Sequence, residues 1–370
     1  MRLLICAGGT GGGVYPAMAA LNALDKKSHQ LLWVGNWSGM ESSLVKRAGI
    51  PFTGIPAAGI HGVAPYRLPQ NIWQLTLGFF SAKRILRHFK PHVLFFTGGY
   101  IGIPMAMAGR AIPSLLYVPD IEPALSHKLI GRFSTCIALT TETSRQFFPK
   151  KKNLVVTGYP VRSDLTQYSR EEARSKLMLK PDFPTLLVMG GSRGARSINT
   201  ALFNILPKLL HLAQVIHITG ELDWQRVQEV QASLAGNLVS NYHVFPYLHE
   251  EMGAALSSAD LAISRAGAST LGEYPTFGLP AILIPYPHAW RYQKTNAEYL
   301  QQKGAAILIE DKDMHEQLLN TIHALLTKPS QLEAMRQAMR SLAQPEAAKH
   351  LSELLCVLSN QPSQKNGEPA

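Results

Sequence analysis

The sequence predicts an α/β protein with two Rossmann-like domains that face each other across a cleft. Short apolar runs alternate with helical patterns along most of the chain, and this series begins twice. Each series opens on an apolar run that ends in glycines, at residues 2–13 and again at residues 185–195. Strands rich in leucine and β-branched residues that alternate with helices form parallel, doubly wound sheets. Such sheets bind ligands outside the carboxyl ends of their strands, and two of them facing each other would share one ligand cleft.

Hydrophobic patterns place the individual elements of the two series. The first series of strands is predicted at residues 3–7, 30–34, 92–96, 114–118, 135–139 and 154–157, with helices between several of them, including 16–24 and 71–88. The second series is predicted at residues 185–189, 215–219, 242–245, 261–264, 281–284 and 306–309, with helices at 198–211, 224–234, 269–277, 290–302 and 315–327.

The joint between the two series is predicted at residues 158–184, where proline, glycine and a charged helical segment separate them. A chain of 370 residues with 46% hydrophobic residues is long and apolar enough to bury two cores. We therefore expect an N-terminal domain, a C-terminal domain, a last helix that can pack back on the N-terminal domain and a disordered tail. Their expected bounds are residues 1–160, 161–340, 341–358 and 359–370.

Composition narrows the class of partner. The formal net charge of +11 indicates attraction to an acidic partner, which can be nucleic acid, an anionic membrane surface or a phosphorylated substrate. The three cysteines are far apart in the sequence and favour a reducing compartment over a disulfide framework or a zinc site. No run of residues is apolar enough for a spanning helix, so we expect a cytosolic protein, with a segment lying on a membrane surface still open.

The first glycine-rich turn, GGTGGG at residues 8–13, predicts contact with a phosphate or pyrophosphate. A strand that ends in glycines and then a helix presents backbone N–H groups at the positive end of that helix. A dinucleotide-binding fingerprint is one alternative, but the second strand ends Trp33-Val34-Gly35-Asn36, without the acidic residue that holds the ribose. A tight turn without ligand is the other alternative. Five glycines in six residues are costly in chain entropy unless the backbone must closely approach something.

The second glycine-rich turn, at residues 190–195, adds Ser192 and Arg193 to the same backbone pattern, and both side chains suit a phosphate. Its alternative is a plain strand-to-helix turn with a solvated arginine. Later in the chain, Ala268, Ser269 and Thr270 follow a strand and predict a helix N-terminus that donates to a diphosphate. About one turn later a carboxylate, Glu273, can accept both hydroxyls of a ribose or, alternatively, serve the helix dipole.

Taken together, these motifs resemble those of the MurG family of glycosyltransferases over roughly residues 1–355. The marks of the resemblance, in chain order, are AGGTGG with Pro16, Thr97-Gly-Gly-Tyr100 with Pro104, Gly158-Tyr-Pro-Val-Arg162, Gly190-Gly-Ser192 with Gly194, Ala195 and Asn199, Arg265-Ala-Gly-Ala268 with Thr270 and Glu273, and His288 with Arg291, Gln293 and Asn296. The resemblance implies the two-domain GT-B fold and an inverting hexosyltransferase. In this family, N-acetylglucosamine passes from UDP-N-acetylglucosamine to lipid I, forming lipid II for peptidoglycan synthesis, and with it cell-wall growth, cell shape and division.

The resemblance also implies roles for individual residues. On the donor side, Ser192 and Ala268–Thr270 would meet the diphosphate, Arg265 would shape its pocket and Glu273 would bind the ribose. The backbone near Leu248 and the side chain of Arg162 would flank uracil, and Gln293 and Asn296 would bind the sugar. Arg193, which departs from the family pattern, stays a candidate phosphate contact on its own chemistry. On the acceptor side, the substrate-binding residues would be Thr10, Gly11, Gly12, Gly13, Tyr100 and Asp120.

The acceptor side departs from the family pattern. Gly13 stands where the family carries histidine after GGTGG, and Tyr117-Val-Pro-Asp120 replaces a His-Glu-Gln-Asn run; on the donor side, Arg193 and Tyr292 each replace a glutamine. Inverting transfer needs a base for the attacking hydroxyl. Asp120 and Glu122 are the candidate bases, and each has the alternative of a helix cap or first-turn charge.

The expected partners are UDP-N-acetylglucosamine, an undecaprenyl-pyrophosphoryl-linked acceptor and an anionic membrane surface, without nucleic acid, cofactor or metal. Aromatic and aliphatic residues at 71–80 followed by Lys83, Arg84 and Arg87 suit a helix on the cytoplasmic face of the membrane, although a core-facing helix is the alternative. Three other functions remain open: a related transferase with another lipid or glycan acceptor, a UDP-sugar-binding homologue without catalysis, and a nicotinamide oxidoreductase.

Overall fold

The computed structural model describes residues 1–8, 11–25, 28–37, 39–59, 63–191, 194–288 and 292–362. The chain forms two compact units. Unit 1 contains Met1–Val161 and the C-terminal segment that begins at Gln344, and unit 2 contains Arg162–Ala343. The first division lies one residue from the predicted boundary after residue 160.

Unit 1 is built on a sheet in which seven parallel strands are described, in the order β3-β2-β1-β4-β5-β6-β7. The strands are β1 (Arg2–Cys6), β2 (Gln30–Gly35), β3 (Phe52–Gly54), β4 (Val93–Phe96), β5 (Ser114–Val118), β6 (Cys136–Leu139) and β7 (Leu154–Val156). All residues of β4, β5 and β6 are buried, as expected of parallel strands covered on both faces. Strand β3 was not predicted, because three residues with one large apolar side chain give no periodic signal.

Helices cover the unit 1 sheet. They are α1 (Gly11–Asn22), α2 (Met40–Arg47), α3 (Leu68–Phe89), α4 (Gly102–Ala108) and α5 (Leu125–Phe133). In α3 the small residues Gly78 and Ala82 are buried, which lets the helix pack closely against α4. Within the described part of the chain, no helix has both the length and the apolar character that crossing a bilayer requires.

Unit 2 repeats the design with six described parallel strands in the order β10-β9-β8-β11-β12-β13. They are β8 (Thr185–Met189), β9 (Gln214–Ile218), β10 (Tyr242–Phe245), β11 (Leu261–Ser264), β12 (Ala281–Leu283) and β13 (Ala306–Leu308). Its helices are α6 (Arg170–Lys176), α7 (Arg196–Leu209), α8 (Trp224–Ser233), α9 (Gly236–Val239), α10 (Met252–Ser258), α11 (Glu273–Phe277), α12 (Tyr292–Gln302), α13 (Met314–Leu326) and α14 (Pro329–Arg340).

The chain leaves unit 2 and returns to unit 1 through α15 (Ala347–Ser359), which packs on α1, β4 and β5. Its buried residues Ala347, Leu351, Leu355 and Leu358 recur at intervals of three and four, forming one apolar face. That face explains why a helix so late in the sequence is part of unit 1.

Candidate functional site

Both glycine-rich turns follow the strand at which the order of their sheet reverses. Strand β1 lies between β2 and β4, and β8 lies between β9 and β11. The crevice outside the carboxyl end of such a strand is where open α/β sheets bind ligands. Each unit therefore has its candidate site at the position that its own topology favours.

The turn after β8 requires glycine at two positions, Gly190 and Gly194. A Cβ at Gly190 would overlap the backbone nitrogen of Ala195. At Gly194 the backbone has φ of +76°, and a Cβ would overlap the carbonyl oxygen of Thr219. At Gly191 φ is +88°, yet a Cβ would meet nothing within 4 Å. The Gly194 N–H donates to the Gly191 carbonyl over 2.9 Å and closes the turn. The intervening Ser192 and Arg193 lie outside the described residues, and their roles stay predictions.

A buried polar network supports this turn from below. The Asn199 amide, in the first turn of α7, donates to the Thr219 carbonyl at 3.0 Å and to Asp223 Oδ2 at 2.8 Å. Its Oδ1 accepts from His217 Nε2 at 3.0 Å, so His217 Nδ1 accepts from the Tyr242 hydroxyl at 2.7 Å. Burial lowers the pKa of His217 to about 3 and keeps the ring neutral. Asn199 therefore fixes the Thr219 carbonyl on which Gly194 rests.

The segment after β11 differs from the single helix predicted at residues 269–277. A 3-10 turn at Ala268–Leu271 precedes the short helix α11, and Gly272 separates the turn from the helix. The Thr270 hydroxyl donates to the Gly267 carbonyl at 2.7 Å, and the Tyr274 hydroxyl donates to Ser264 Oγ at 2.7 Å. Side chains that bind this backbone from within hold the Ala268–Thr270 corner at the carboxyl edge of the sheet.

Glu273 begins α11 beside this corner. Removal from solvent raises the pKa of its carboxyl to about 7, against the opposing effects of a hydrogen bond to Ser269 and the positive charge of Arg162. Arg162 itself pairs with Asp164 at 3.5 Å. A carboxyl group that titrates near neutrality can accept ligand hydroxyls as a carboxylate, and its strength as an acceptor depends on pH.

Arg265 is 9% exposed, and its guanidinium is committed to the protein. It donates to the carbonyls of Ile284 and Pro285 at 3.1 and 3.2 Å, to Asp311, and to Ser197 Oγ at 2.6 Å. These contacts join the end of β12 to the first turn of α7. They fit the predicted part of Arg265 in shaping the pocket.

Three further residues that are predicted to bind the donor substrate have defined contacts or burial in unit 2. The fully buried Asn296 amide donates to the Ala266 carbonyl at 3.1 Å, and Gln293 Oε1 accepts from the Tyr286 N–H at 2.9 Å. Leu248 follows β10 and is 7% exposed. Asn296 thus supports the turn after β11, whereas contact of Asn296 and Gln293 with a sugar, and of Leu248 with uracil, stay predictions.

In unit 1 the glycine turn runs directly into α1, whose first residues are Gly11, Gly12 and Gly13, while Thr10 lies outside the described residues. The Thr97 hydroxyl, after β4, donates to the Gly13 carbonyl at 2.7 Å. A Cβ at Gly13 would lie 3.3 Å from Thr97 Oγ1 and 3.4 Å from the Thr97 carbonyl oxygen. The position of the family histidine is therefore closely packed against the loop after β4.

Asp120 and Glu122 follow β5 on the same edge of the sheet, because β5 is the parallel neighbour of β4. Asp120 is partly exposed and Glu122 is 8% exposed. The N-cap of α5 is Ala124, and the first turn of α5 contains no acidic residue. The alternative in which either carboxylate caps or charges the start of α5 is therefore wrong.

The backbone before Asp120 is anchored by Thr140, which the sequence motifs did not single out, and by Tyr117. The Thr140 hydroxyl lies 3.0 Å from the Val118 carbonyl and 2.8 Å from the Pro119 carbonyl, and its oxygen lies 2.8 Å from the Tyr117 hydroxyl. Tyr117 stands where the family run has histidine. It is fully buried and supports the loop from beneath.

The surface of α3 carries large apolar side chains in solvent: Trp73 is 62% and Phe80 is 63% exposed. Basic residues continue the helix, with Arg87 and His88 in its last turn. The alternative in which the aromatic residues of this segment face the core is wrong for Trp73 and Phe80. The predicted acceptor-side residue Tyr100 packs against Gly59, where a Cβ would lie 2.9 Å from its ring.

Comparison with known proteins places the whole chain. The glycosyltransferase family 28 N-terminal domain matches residues 3–136, and the family 28 C-terminal domain matches residues 185–351. The UDP-N-acetylglucosamine–N-acetylmuramyl-(pentapeptide) pyrophosphoryl-undecaprenol N-acetylglucosamine transferase of Roseiflexus sp. (strain RS-1) is 36% identical, over 97% of this chain and 95% of that protein. The transferase of the same name from Desulfitobacterium hafniense (strain Y51) is 39% identical, over 94% of this chain and 96% of that protein.

Solved structures agree. The crystal structure of Acinetobacter baumannii MurG has a TM-score of 0.73 at 28% identity and covers 96% of this chain and 99% of that chain. A UDP-GlcNAc 2-epimerase from Neisseria meningitidis bound to UDP-GlcNAc has a TM-score of 0.68 at 16% identity over 96% of this chain and all of that one, which shows a shared fold. The predicted GT-B fold and the predicted enzyme class, a hexosyltransferase, are confirmed. The chain belongs to glycosyltransferase family 28 and, within it, to the MurG family.

Proposed function

We propose that this protein transfers N-acetylglucosamine from UDP-N-acetylglucosamine to lipid I with inversion, forming lipid II for peptidoglycan synthesis. The relatives that match nearly the whole chain are named for a reaction between these two substrates. The observation that carries the proposal is the arrangement at the carboxyl edge of the unit 2 sheet. There the turn at Gly194 and the corner at Ala268–Thr270 would supply hydrogen-bond donors for a diphosphate. Glu273 would supply a carboxylate for the hydroxyls of a ribose.

On the donor side, backbone N–H groups of the two turns would receive the diphosphate, whose charge grows as the glycosidic bond breaks. The Thr270 hydroxyl holds the Gly267 carbonyl, and the Ser269 hydroxyl bonds to Glu273. Glu273 accepts the ribose hydroxyls as a carboxylate. Arg265 acts by joining the end of β12 to the first turn of α7, and Asn296 acts by holding the Ala266 carbonyl before the corner. Leaving-group charge is thus met by hydrogen-bond donors, and we propose transfer without a resident metal ion.

On the acceptor side, a base must take the proton from the attacking sugar hydroxyl. Gly13 cannot supply one. Of the two candidates we favour Asp120, because it is partly exposed while Glu122 is almost completely buried. The loop that carries Asp120 is anchored by Thr140, which suits a group that must keep its position during proton transfer.

The lipid-linked acceptor places the reaction at a membrane, and α3 of unit 1 provides a suitable surface. Exposed Trp73 and Phe80 can enter the headgroup region, and Lys83, Arg84 and Arg87 can pair with anionic lipid. We propose peripheral association with the cytoplasmic face of the membrane, where the nucleotide-sugar donor is available.

The full chain, purified and mixed with UDP-N-acetylglucosamine and lipid I in anionic vesicles, tests the proposal. We expect release of UDP and formation of lipid II, both unaffected by EDTA. Transfer to another lipid or glycan acceptor but not to lipid I would overturn the proposed acceptor. Calorimetric binding of the donor without transfer to any acceptor would identify a binding protein instead.

A further inference from the structure

His127 is a buried residue in the first turn of α5, and both of its ring nitrogens have partners. It is 5% exposed. Its Nδ1 lies 3.2 Å from the Ala124 backbone nitrogen, whose N–H can only donate, so Nδ1 is the acceptor. The ring proton is therefore on Nε2, which donates to the Thr97 carbonyl at 3.2 Å.

The Thr97 carbonyl that receives this bond belongs to the loop that also holds α1. Thr97 donates its hydroxyl to the Gly13 carbonyl, as described above. At Gly98, with φ of +101°, a Cβ would overlap His127 Nε2, and at Gly99 a Cβ would lie 3.0 Å from the Gly8 carbonyl oxygen. The imidazole thus links the loop after β5 to the loop after β4, and Thr97 in turn links that loop to the glycine turn after β1.

The geometry excludes His127 as the missing base. A base needs a free lone pair, and the Nδ1 lone pair already receives the Ala124 N–H. Burial also lowers the pKa of His127 to about 4, so the neutral ring is the form present near neutral pH. Protonation would place two donors, Nδ1–H and the Ala124 N–H, against each other.

We propose that His127 is a positioning residue for the acceptor: its Nε2–H bond to Thr97 holds the 97–99 loop against the glycine turn of α1 and so sets the pyrophosphate-binding backbone of unit 1. This inference rests on the proposed function for the identity of the acceptor. His127 touches no reacting atom. Its effect passes through the Thr97 carbonyl and the adjoining glycines, where a displacement moves N–H groups away from a phosphate.

Two substitutions separate the two hydrogen bonds of the ring. His127→Gln can place an amide NH2 near the position of Nε2 and keep the bond to Thr97, while it loses the acceptor for Ala124. His127→Asn can place an oxygen near the position of Nδ1 and keep the acceptor for Ala124, but it is too short to reach Thr97. The proposal requires the glutamine variant to behave like the native protein and the asparagine variant to fail.

The kinetic measurement is kcat and KM for lipid I and, separately, KM for UDP-N-acetylglucosamine. We expect His127→Asn to lower kcat/KM for lipid I about tenfold, as for loss of one buried hydrogen bond, and to leave the donor KM within about twofold. His127→Gln should stay within about threefold of the native value for both substrates. Equal losses in the two variants, or a rise in donor KM that matches the loss for lipid I, would overturn the proposal.

Hydrogen exchange of backbone amides at residues 98–102 supplies a readout that does not require the proposed reaction. In His127→Asn these amides should exchange about tenfold faster, while the amides of β11 in unit 2 stay unchanged and serve as the control. Unchanged exchange at 98–102 overturns the positioning role. If the native protein fails to use lipid I, the proposed function fails, and the exchange experiment still judges the role of His127.

Discussion

The two glycine turns occupy equivalent places in their sheets, yet they are held in place by different means. In unit 2, Gly194 rests on a carbonyl that the buried Asn199 network fixes, and Glu273 stands beside the neighbouring corner. In unit 1, Gly13 is packed against Thr97, and the candidate bases Asp120 and Glu122 belong to the loop after β5. The difference teaches that one glycine motif can be held by different neighbours, and that the side chains available at each turn depend on what the adjacent strands and helices supply.

The largest expected effect that distinguishes the two units is the loss of Asp120. Replacing Asp120 with asparagine removes the proposed base while keeping its size, and we expect kcat for lipid II formation to fall by about 10²- to 10⁴-fold. Donor affinity, which we assign to unit 2, should not change. Steady-state kinetics with calorimetry of UDP-N-acetylglucosamine binding measures both.

Glu122→Gln is the matched control for Asp120→Asn. It changes a carboxyl two residues away that is 8% exposed. A large loss in this control with full activity in Asp120→Asn would transfer the role of base to Glu122. Equal activity of both variants and the native protein would remove the base from this loop altogether.

Most of the fold could be predicted from the sequence, because the strands are continuous apolar runs. The bounds of β5, β8, β10 and β11 agree with the predicted residues. The break between the 3-10 turn and α11 could not be predicted, because Gly272 leaves the helical conformation inside a run that suits a helix. Helix α14 was also not predicted.

The glycine turns of the candidate site could be predicted, but their supports could not. His127 acts on Thr97 from 30 residues away, and Thr140 acts on Pro119 from 21 residues away. Such pairs join segments that only the tertiary fold brings together, and they leave no spacing pattern in the sequence. Buried polar residues just after a strand or in the first turn of a helix are the signal to look for.

The second prediction compares two glycines of the same turn in unit 2. Gly194→Ala must accommodate both a positive φ and a Cβ that overlaps the Thr219 carbonyl, so we expect unfolding free energy to fall by about 3 kcal/mol. Gly191→Ala has a positive φ but open space, and it should cost about 1 kcal/mol. Urea unfolding measures the two values. Equal costs would show that the overlap relaxes and that Thr219 is not fixed by Asn199.

The third prediction uses the titration of Glu273. The carboxylate is the form that accepts ribose hydroxyls, and the raised pKa of about 7 means that protons compete with the donor near neutrality. We therefore expect UDP-N-acetylglucosamine to bind more weakly at pH 6 than at pH 8 by about tenfold, as for one pKa unit. Calorimetry across this range measures it.

In Glu273→Gln, donor affinity should be about tenfold lower at pH 8 and should lose most of its dependence on pH, because the amide does not titrate. Lipid I affinity, which we assign to unit 1, serves as the internal control. A pH dependence that persists in the glutamine variant would assign the titration to another group and leave Glu273 without a role in donor binding.

The last prediction tests whether unit 1 alone binds the membrane. Phe80→Glu replaces an apolar side chain that is 63% exposed on α3 with a charge that anionic lipid repels, and we expect vesicle affinity to fall roughly tenfold. Leu222→Glu makes a similar change at a residue of unit 2 that is 81% exposed, and it should leave affinity unchanged. Sedimentation with vesicles of anionic and neutral lipid, at low and high salt, separates the apolar and electrostatic contributions. Equal losses in both variants would show that charge alone controls vesicle binding. The two units would then differ in the substrates that they bind but not in their contact with the membrane.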